Sequence, residues 1–349
     1  MLLCSDKQPI MKRSGLLFFV CLSFAAAAQD LNFSQFYELP LLRNPALAGI
    51  YTGDFRATSA FRSQWGRVTV PYTFQAMSIE MKTGVSEASD NYFSVGLQMT
   101  RDQAGDSKFG KTQVLPVLAF HKVMSAERNS YLTLGFMGGI VQQRFDPTQL
   151  RFDDEFQNGV YIPRSTSQIF TQTQLNYLDA SVGLSFSSEF NNGIRYYIGG
   201  GMYHLTNPKV VFYQQDEIRL SRKYIGNAGF MLPISDYQDF IVYMDYFQQG
   251  GFSQGQGGFF YKNKLWSEDE FRVVSLTGGA IFRWNDAIIP VLRFDYNKIG
   301  VGLSYDANFS KLRRASQFQG GFELTLSFKS HLNIRNSSLE KTKCPVGFD

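Results

Sequence analysis

The sequence is poor in the residues that build disulfides, metal sites and most hydrolytic sites. Its 349 residues include only three cysteines and three histidines. Two of the cysteines precede residue 29, in a segment interpreted below as a cleaved leader, so Cys344 alone would remain, and one thiol cannot form an internal disulfide. None of His121, His204 and His331 has a partner at the spacing of a metal-binding motif. We therefore predict no metal, no other cofactor and no enzymatic activity.

The chain also lacks a long apolar run and a strong excess of charge. After the leader, no stretch approaches the roughly 18 to 20 consecutive apolar residues that cross a bilayer as a helix, which excludes a helical inner-membrane protein. Lysine and arginine number 34, aspartate and glutamate 30, and the net charge is +4. This near balance argues against nucleic acid as a partner. Aromatic residues are abundant instead, with 33 phenylalanines and 18 tyrosines.

The first 28 residues resemble an export leader. A basic run at 11–13 precedes an apolar stretch over 15–28, and polar residues follow at 29–30. These are the three parts of a secretory signal peptide in their usual order. We predict cleavage after Ala28. We also predict that Met11 is the true start, because the ten residues before it fit no export signal.

Apolar and polar residues alternate along many segments of the remaining chain. In one such segment the apolar positions are Leu178, Ala180, Val182, Leu184 and Phe186. The positions between them are polar or glycine: Asp179, Ser181, Gly183 and Ser185. The same alternation recurs over 93–100, 299–306 and 321–328. A period of two indicates a strand whose two faces meet different surroundings.

These segments are longer than the strands of ordinary soluble sheets. Such strands average about five to six residues, whereas a tilted transmembrane strand needs about nine to eleven. We therefore predict an all-β fold: a closed antiparallel transmembrane β-barrel of the outer membrane, apolar outside and polar inside. A secreted all-β domain is the alternative. Candidate strands, about fourteen in number, lie near residues 55, 74, 92, 112, 131, 177, 195, 223, 239, 256, 272, 288, 299 and 320.

We divide the chain into four parts: a leader over 1–28, an N-terminal segment over 29–54, the barrel over 55–329 and a polar tail over 330–349. The N-terminal segment shows little alternation, and we expect it in or below the barrel. The gap from Gln142 to Asn176 is too long for a hairpin turn, which predicts an extracellular loop or an inward-folded plug. The carboxylates at 153–155 in this gap are compatible with a Ca²⁺ site, but the favoured interpretation is that they are solvated loop residues.

Fifteen residues in ordered blocks form a set that is specific when taken together. They are Asn44, Pro45, Ala46, Gly49, Arg62, Gln64, Trp65, Asp179, His204, Pro208, Tyr305, Asp306, Ser310, Gly321 and Glu323. In this order, within residues 29–329, they resemble the PorP/SprF family of outer-membrane proteins of the type IX secretion system in Bacteroidota. The resemblance implies a barrel without catalytic activity that helps to export or surface-anchor a cargo protein with a C-terminal sorting domain. It implies as partners a cognate cargo, subunits of the secretion machinery and outer-membrane lipid, and it associates founding members with gliding motility.

The physical interpretation of these residues is mainly structural. Asp179, Asp306 and Glu323 lie on polar strand faces, where a carboxylate inside the barrel can pair with an inward arginine such as Arg62 or Arg101. Asparagine followed by proline at 44–45 suits a turn before the first strand. The tryptophan at 65 fits an aromatic girdle or, alternatively, a partner anchor.

Two other functions remain open at this stage. A porin or uptake channel predicts an open, water-filled lumen and ion conductance. A barrel enzyme would need a nucleophile beside His121 or His204; each lies near a predicted strand end, where a lone imidazole more often serves as a structural hydrogen-bonding group.

Overall fold

The structure is a computed structural model that describes residues 33–331, except 65, 67–69, 87–88, 158, 163–165, 169, 171, 191, 213–217, 268–272 and 310–319. The predicted leader with its cleavage site and Met11 start, Trp65, Ser310 and the tail beyond residue 331 lie outside the described residues. In the described part of the chain, no helix is long and apolar enough to cross a membrane.

Fourteen antiparallel strands form the wall of the molecule, and each predicted strand position falls within or beside one of them. In chain order, β1 to β14 are Phe55–Gln64, Tyr72–Ser86, Ser89–Ala104, Phe109–Ser125, Ser130–Arg144, Gln174–Glu189, Arg195–Tyr203, Lys223–Ser235, Gln238–Gln249, Phe252–Ser267, Val273–Arg283, Ala287–Tyr296, Ile299–Tyr305 and Gly321–Ser330.

The strands close into a ring. Each pairs with its neighbours in sequence, and β1 pairs with β14 in a register that sets Arg62 opposite Glu323. A two-residue strand, Ala307–Asn308, pairs with β12 outside the ring. Another short pair, Phe156–Gln157 and Val160–Tyr161, forms a separate hairpin. The predicted closed antiparallel barrel of fourteen strands is confirmed.

The wall is apolar outside and polar inside, as the alternation predicts. On β14, Phe322 and Leu326 are 44% and 50% exposed, whereas Glu323 and Thr325 are fully buried. Large apolar side chains are exposed in this way on strands all around the ring. A water-soluble domain would bury that surface against a second sheet, so the alternative of a secreted sandwich is wrong.

The connections divide the barrel into two ends. Because successive strands run in opposite directions, the long connections 145–173, 204–222 and 306–320 all lie at one end, the long-loop end. The other end, the short-turn end, has the two-residue turns 236–237 and 297–298, the start of β1 and the end of β14. In bacterial outer-membrane barrels the longer loops face outside, and by this convention we expect the long-loop end at the cell surface.

The strands are of very unequal length. Strands β2 to β6 have 15 to 17 residues, more than the roughly ten that a membrane crossing requires. Strands β12 to β14 have 10, 7 and 10. The wall over β2 to β6 is therefore long enough to project beyond the bilayer, a feature that the sequence pattern did not predict.

Candidate functional site

The N-terminal segment fills the interior of the barrel. We call residues 33–54 the plug. It contains three short 3-10 helices, Phe36–Glu38, Pro40–Leu42 and Pro45–Leu47, and most of its residues are buried. Proline at the first position of the second and third turns fixes φ and needs no amide partner there. A chain so irregular must find partners for its polar backbone groups in the wall around it.

The plug runs from one end of the lumen to the other. Phe33 stacks on Phe74 at the start of β2, with ring centroids 4.4 Å apart. The Ser34 hydroxyl donates to Asp306 over 2.6 Å, where the 306–320 connection leaves β13 at the long-loop end. Asp54 lies at the short-turn end, where its amide donates to the carbonyl of Ser330 over 3.0 Å. The expected position of this segment in the barrel is therefore observed for the described residues.

Carboxylates of the wall hold the first part of the plug. Both oxygens of Glu323 accept hydrogen bonds from the plug backbone, one from the Ser34 amide and one from the Gln35 amide, each over 2.7 Å. Asp306 accepts from Arg62 over 2.7 Å and from Arg283 over 3.3 Å. Two of the predicted carboxylates thus meet the predicted inward Arg62, which lies 4.0 Å from Glu323.

A buried ion pair fixes the middle of the plug. Arg43 donates to Asp245 of β9 in a two-pronged arrangement, with Nε–Oδ2 and Nη2–Oδ1 distances of 2.8 and 2.6 Å. Its guanidinium also lies 5.0 Å from the ring centre of Phe36 and 5.7 Å from that of Tyr197. Planar, bidentate pairing of this kind is the strong form of an ion pair, and both side chains are buried here.

Neutral hydrogen bonds fix the next turn. The Asn44 side chain accepts from the Ala46 amide over 2.9 Å, which caps the turn. Its Nδ2 donates to the carbonyls of Leu184 and Gly200 over 3.1 and 3.2 Å. The Ser185 hydroxyl donates to the Ala46 carbonyl over 2.9 Å. The predicted turn at Asn44 and Pro45 is present, but it lies deep in the lumen rather than just before β1.

Glycines of β5 and β6 make room for that turn. A Cβ atom on Gly183 would overlap the Asn44 amide oxygen, and one on Gly135 would overlap the backbone of Pro45 and Ala46. The plug backbone therefore lies directly against the wall, at a distance that no other residue permits. We call these two glycines and the turn at 44–46 the glycine seat.

The last part of the plug lies against β1 and β2. Gly49 has φ +80°, the left-handed region that favours glycine, and its amide donates to Glu80 over 3.1 Å. Glu80 also pairs with Arg56 over 2.7 Å. The ring of Tyr51 lies between Arg56 and Lys82, whose charged groups are 4.5 and 4.6 Å from its centre.

Asp179, His121 and His204 form buried structural contacts. Asp179 pairs with His204 Nδ1 over 2.6 Å rather than with an arginine. His121 lies 3.0 Å from the Ser94 hydroxyl, and its Tyr92 neighbour stacks on it with centroids 3.9 Å apart. Both imidazoles are almost fully buried, so neither presents a reactive nitrogen to solvent.

The expectation that Arg101 points inward is wrong. Its side chain is exposed, because odd-numbered residues of β3 face outward and the adjacent Thr100 is the buried residue. Among the remaining predicted residues, Gln64 and Gly321 pair in the β1–β14 register. Tyr305 lies on the outer surface, 43% exposed, and Pro208 is buried in the 204–222 connection.

Sequence reasoning missed several residues that hold the plug. These are Glu38, Arg43, Arg56, Glu80, Gly135, Asp245, Arg283 and Arg293. The sequence contains a usable signal for the charged wall residues among them, because they lie at inward positions of strands whose outward positions are apolar. Charges buried on a barrel interior need counter-charges, and Glu38 and Arg43 of the plug supply two of them.

Two cavities within the described residues lie against the plug, one beside Tyr37 and one beside Arg43, with volumes of about 50 and 40 Å³. Each is large enough to hold water.

A second candidate site lies in the 145–173 connection. Its hairpin exposes Phe156, Val160 and Ile162, at 56%, 61% and 42%. The carboxylate of Asp154 accepts from the Ser167 amide over 2.6 Å and from its hydroxyl over 2.8 Å, and these bonds hold the pKa of Asp154 below its ordinary value. This connection is thus a surface loop, and the plug comes from the N-terminal segment instead.

The carboxylates of that connection do not gather around a point. Asp153 and Glu155 belong to a short turn in which the Glu155 carboxylate accepts from the Phe152 amide over 3.0 Å. Within the described residues, no group of three or more side chains is arranged to hold a metal ion.

Comparison with known proteins gives one family and a group of barrels. The family described as "Type IX secretion system membrane protein PorP/SprF" matches residues 25–328. No curated protein matches the chain. Similar solved structures include a Pseudomonas aeruginosa FadL homologue, at 8% identity and a TM-score of 0.48, covering 82% of this chain and 93% of that one. The Ralstonia pickettii toluene transporter TbuX has 8% identity and a TM-score of 0.46, covering 83% and 93%.

Proposed function

Because the chain belongs to the PorP/SprF family of type IX secretion system membrane proteins, we propose that it is a plugged barrel that binds one cargo protein at the cell surface. The family is a non-enzymatic component of the secretion machinery, and the protein resides in the outer membrane. In the proposal, it helps to export or surface-anchor a cargo with a C-terminal sorting domain, and it does so through its loops.

The observation that carries the proposal is the plug. Residues 33–54 of the chain itself cross the lumen, and they are bonded to Glu323, Asp245 and Glu80 along their length. The surfaces left for interactions are therefore the rims and the outer wall. The family's signature residues support this view, since Asn44, Arg62, Asp306 and Glu323 all serve the plug. Their role in the proposal is to keep the barrel shut and the loops in place.

The contact surface in this proposal is the 145–173 hairpin. Phe156, Val160 and Ile162 are exposed apolar side chains in a connection at the long-loop end of the barrel. Neighbouring apolar residues exposed to water are typical of protein interaction sites. Among the described residues the hairpin pairs with no further strand, so an extended segment of a cargo can add to it by β-augmentation.

An open porin or uptake channel is the second candidate. It would require that the plug leave the lumen, and in doing so the chain would expose buried charges such as Arg43 and Asp245. We therefore favour the closed state.

The test is recovery of partners from outer membranes. Tagged protein is purified in mild detergent, and the co-purifying proteins are identified by mass spectrometry. We expect a large surface protein with a C-terminal sorting domain, together with secretion subunits. A barrel that is recovered alone and conducts ions would contradict the proposal.

Paired variants make this test specific. Phe156→Asp combined with Val160→Asp should reduce cargo recovery at least tenfold, because a charge in an apolar contact prevents its desolvation. The matched control is Tyr237→Asp, which changes a residue of similar exposure, 57%, in a turn at the short-turn end. Equal losses in both variants would show that the hairpin is not the contact.

A further inference from the structure

The outer wall at the long-loop end carries an unassigned cationic cavity. Its volume is about 510 Å³ and its lining includes Arg101, Lys108 and Arg144, all three of them exposed. We propose that this cavity binds the phosphorylated sugar headgroup of a lipid in the outer leaflet of the membrane.

Register places the two arginines on the lipid side of the wall. Arg101 of β3 pairs with Thr112 of β4, and Arg144 of β5 pairs with Gly110 of β4. All four residues face outward from the barrel. On β3 and β4, Arg101 and Thr112 lie two residues from Met99 and Val114, which are exposed and apolar, and alternate residues of a strand share one face.

The cavity lies at the upper edge of the apolar band. Met99, Val114 and Ile140 form one outward row across β3, β4 and β5, and they are 41%, 39% and 61% exposed. The next outward row toward the long-loop end contains Arg101, and the row after it contains Arg144. This change from apolar to cationic side chains marks the level of the lipid headgroups, where basic pockets bind anionic lipids.

The two arginines form a suitable cradle for phosphate. They lie on the two strands that flank β4, each about 4.8 Å from it, one opposite Thr112 and the other opposite Gly110. Arginine is well suited to phosphate because its planar donors bind two oxygens at once. Within the described part of the chain, neither guanidinium has a carboxylate partner at ion-pair distance.

The two carboxylates that also line the cavity have hydrogen-bond donors of their own, and Asp146 also lies near Lys108. Asp102 faces the opposite side of β3 from Arg101 and accepts from the Tyr72 hydroxyl over 3.1 Å. Asp146 accepts from the amide and hydroxyl of Thr148 over 3.0 and 2.7 Å, which holds its pKa below the ordinary value. The lining contains three cationic side chains and these two carboxylates, so its net charge is positive.

The far side of the cavity has a fixed wall. The amide of Asp146 donates to the carbonyl of Ser107 over 2.7 Å, which ties the 145–173 connection to the turn after β3. Phe145 of this wall packs edge-on against Phe170 and Phe212, with centroids 5.5 and 5.1 Å away. A volume of about 510 Å³ lies within the range of sites for small organic ligands and exceeds what one phosphate needs, hence the choice of a phosphorylated sugar.

The experiment counts bound lipid by native mass spectrometry. Folded protein is incubated with a bisphosphorylated glycolipid (lipid A), with the same lipid after removal of its phosphates, or with phosphatidylglycerol. We expect the wild type to retain lipid A, and Arg101→Gln combined with Arg144→Gln to bind it at least tenfold more weakly. Thr112→Lys, which adds a cation between the two arginines, should increase retention.

The control removes the same charge from the other end of the same strands. Lys122→Gln combined with Arg128→Gln changes two exposed cations near the 126–129 turn, and it should bind lipid A as the wild type does. Equal binding by the wild type and the Arg101/Arg144 variant would overturn the proposal, as would equal loss in the control. Retention of phosphatidylglycerol alone, or displacement of lipid A by millimolar inorganic phosphate, would contradict a sugar-phosphate site.

Discussion

Two parts of the plug are held to the wall by different kinds of contact. Near Ser34 and Arg43 the contacts are charged: Glu323 accepts two plug amides and Asp245 pairs with Arg43. At the glycine seat the contacts are neutral, and they depend on the absence of side chains on the wall. A charged contact is lost when one of its two charged groups is removed. The close approach of the plug backbone to the wall is lost when a side-chain atom is added to the wall.

The largest expected effect comes from removing one buried charge. Asp245→Asn leaves the Arg43 guanidinium without its counter-charge, which costs about 3 to 5 kcal/mol in a buried site. Amide hydrogen exchange over residues 33–54 should therefore accelerate by roughly 100-fold or more. The control is Asp239→Asn on the same strand, since its partner Lys264 is partly exposed at 26%, and such a pair contributes about 1 kcal/mol or less.

A double variant sharpens this prediction. Arg43→Met combined with Asp245→Leu removes both charges and keeps apolar volume, which should restore much of the lost protection. If the double variant were less protected than Asp245→Asn, the buried charge would not be the cause.

The next effect comes from adding one carbon atom to the glycine seat. Gly183→Ala and Gly135→Ala should each destabilise the plug by about 1 to 3 kcal/mol, because the new Cβ overlaps the plug backbone. Gly226→Ala is the matched control, since a Cβ there meets nothing within 4 Å, and it should stay within about 0.5 kcal/mol. Hydrogen exchange at 44–49 is the measurement, and equal values for all three variants would refute the close approach.

A smaller effect is expected from the cap of the glycine seat. Asn44→Ala removes the bond from the Ala46 amide and the two bonds that the Asn44 side chain donates. We expect this to destabilise the turn by about 1 to 2 kcal/mol. Asn44→Ser keeps the cap alone and should fall between Ala and the wild type. Faster exchange confined to the turn at 44–49 would agree with this account, and a change near residue 34 of the same size would not.

The smallest effect is expected from salt. The ion pairs of the plug are buried, where mobile ions screen little, so raising the salt to about 1 M should hardly change exchange over 33–43. A strong salt dependence would indicate that water enters the lumen freely.

The sequence predicts the wall much better than the plug. Strand positions follow from a period of two, because each strand separates lipid from a polar interior, as Leu324 and Glu323 illustrate on β14. The plug has no period, since its three short turns are set by Pro40, Pro45 and their individual contacts.

The contacts of the plug also cannot be predicted from neighbouring sequence, because its partners lie far away along the chain. Gln35 and Glu323 lie 288 residues apart, and Arg43 and Asp245 lie 202 apart. Only the closed ring brings them together. Asn44, Arg62, Asp306 and Glu323 are among the residues that carry the family resemblance. In the structure Asn44 belongs to the plug, Asp306 and Glu323 bond to it, and Arg62 pairs with Asp306.

Ion conductance in a planar bilayer tests the central claim most directly. The account predicts that the wild-type barrel is silent, and that a variant with a weakened plug, Asp245→Asn combined with Gly183→Ala, conducts. Steady porin-like conductance of the wild type, unchanged in that variant, would contradict a lumen closed by residues 33–54.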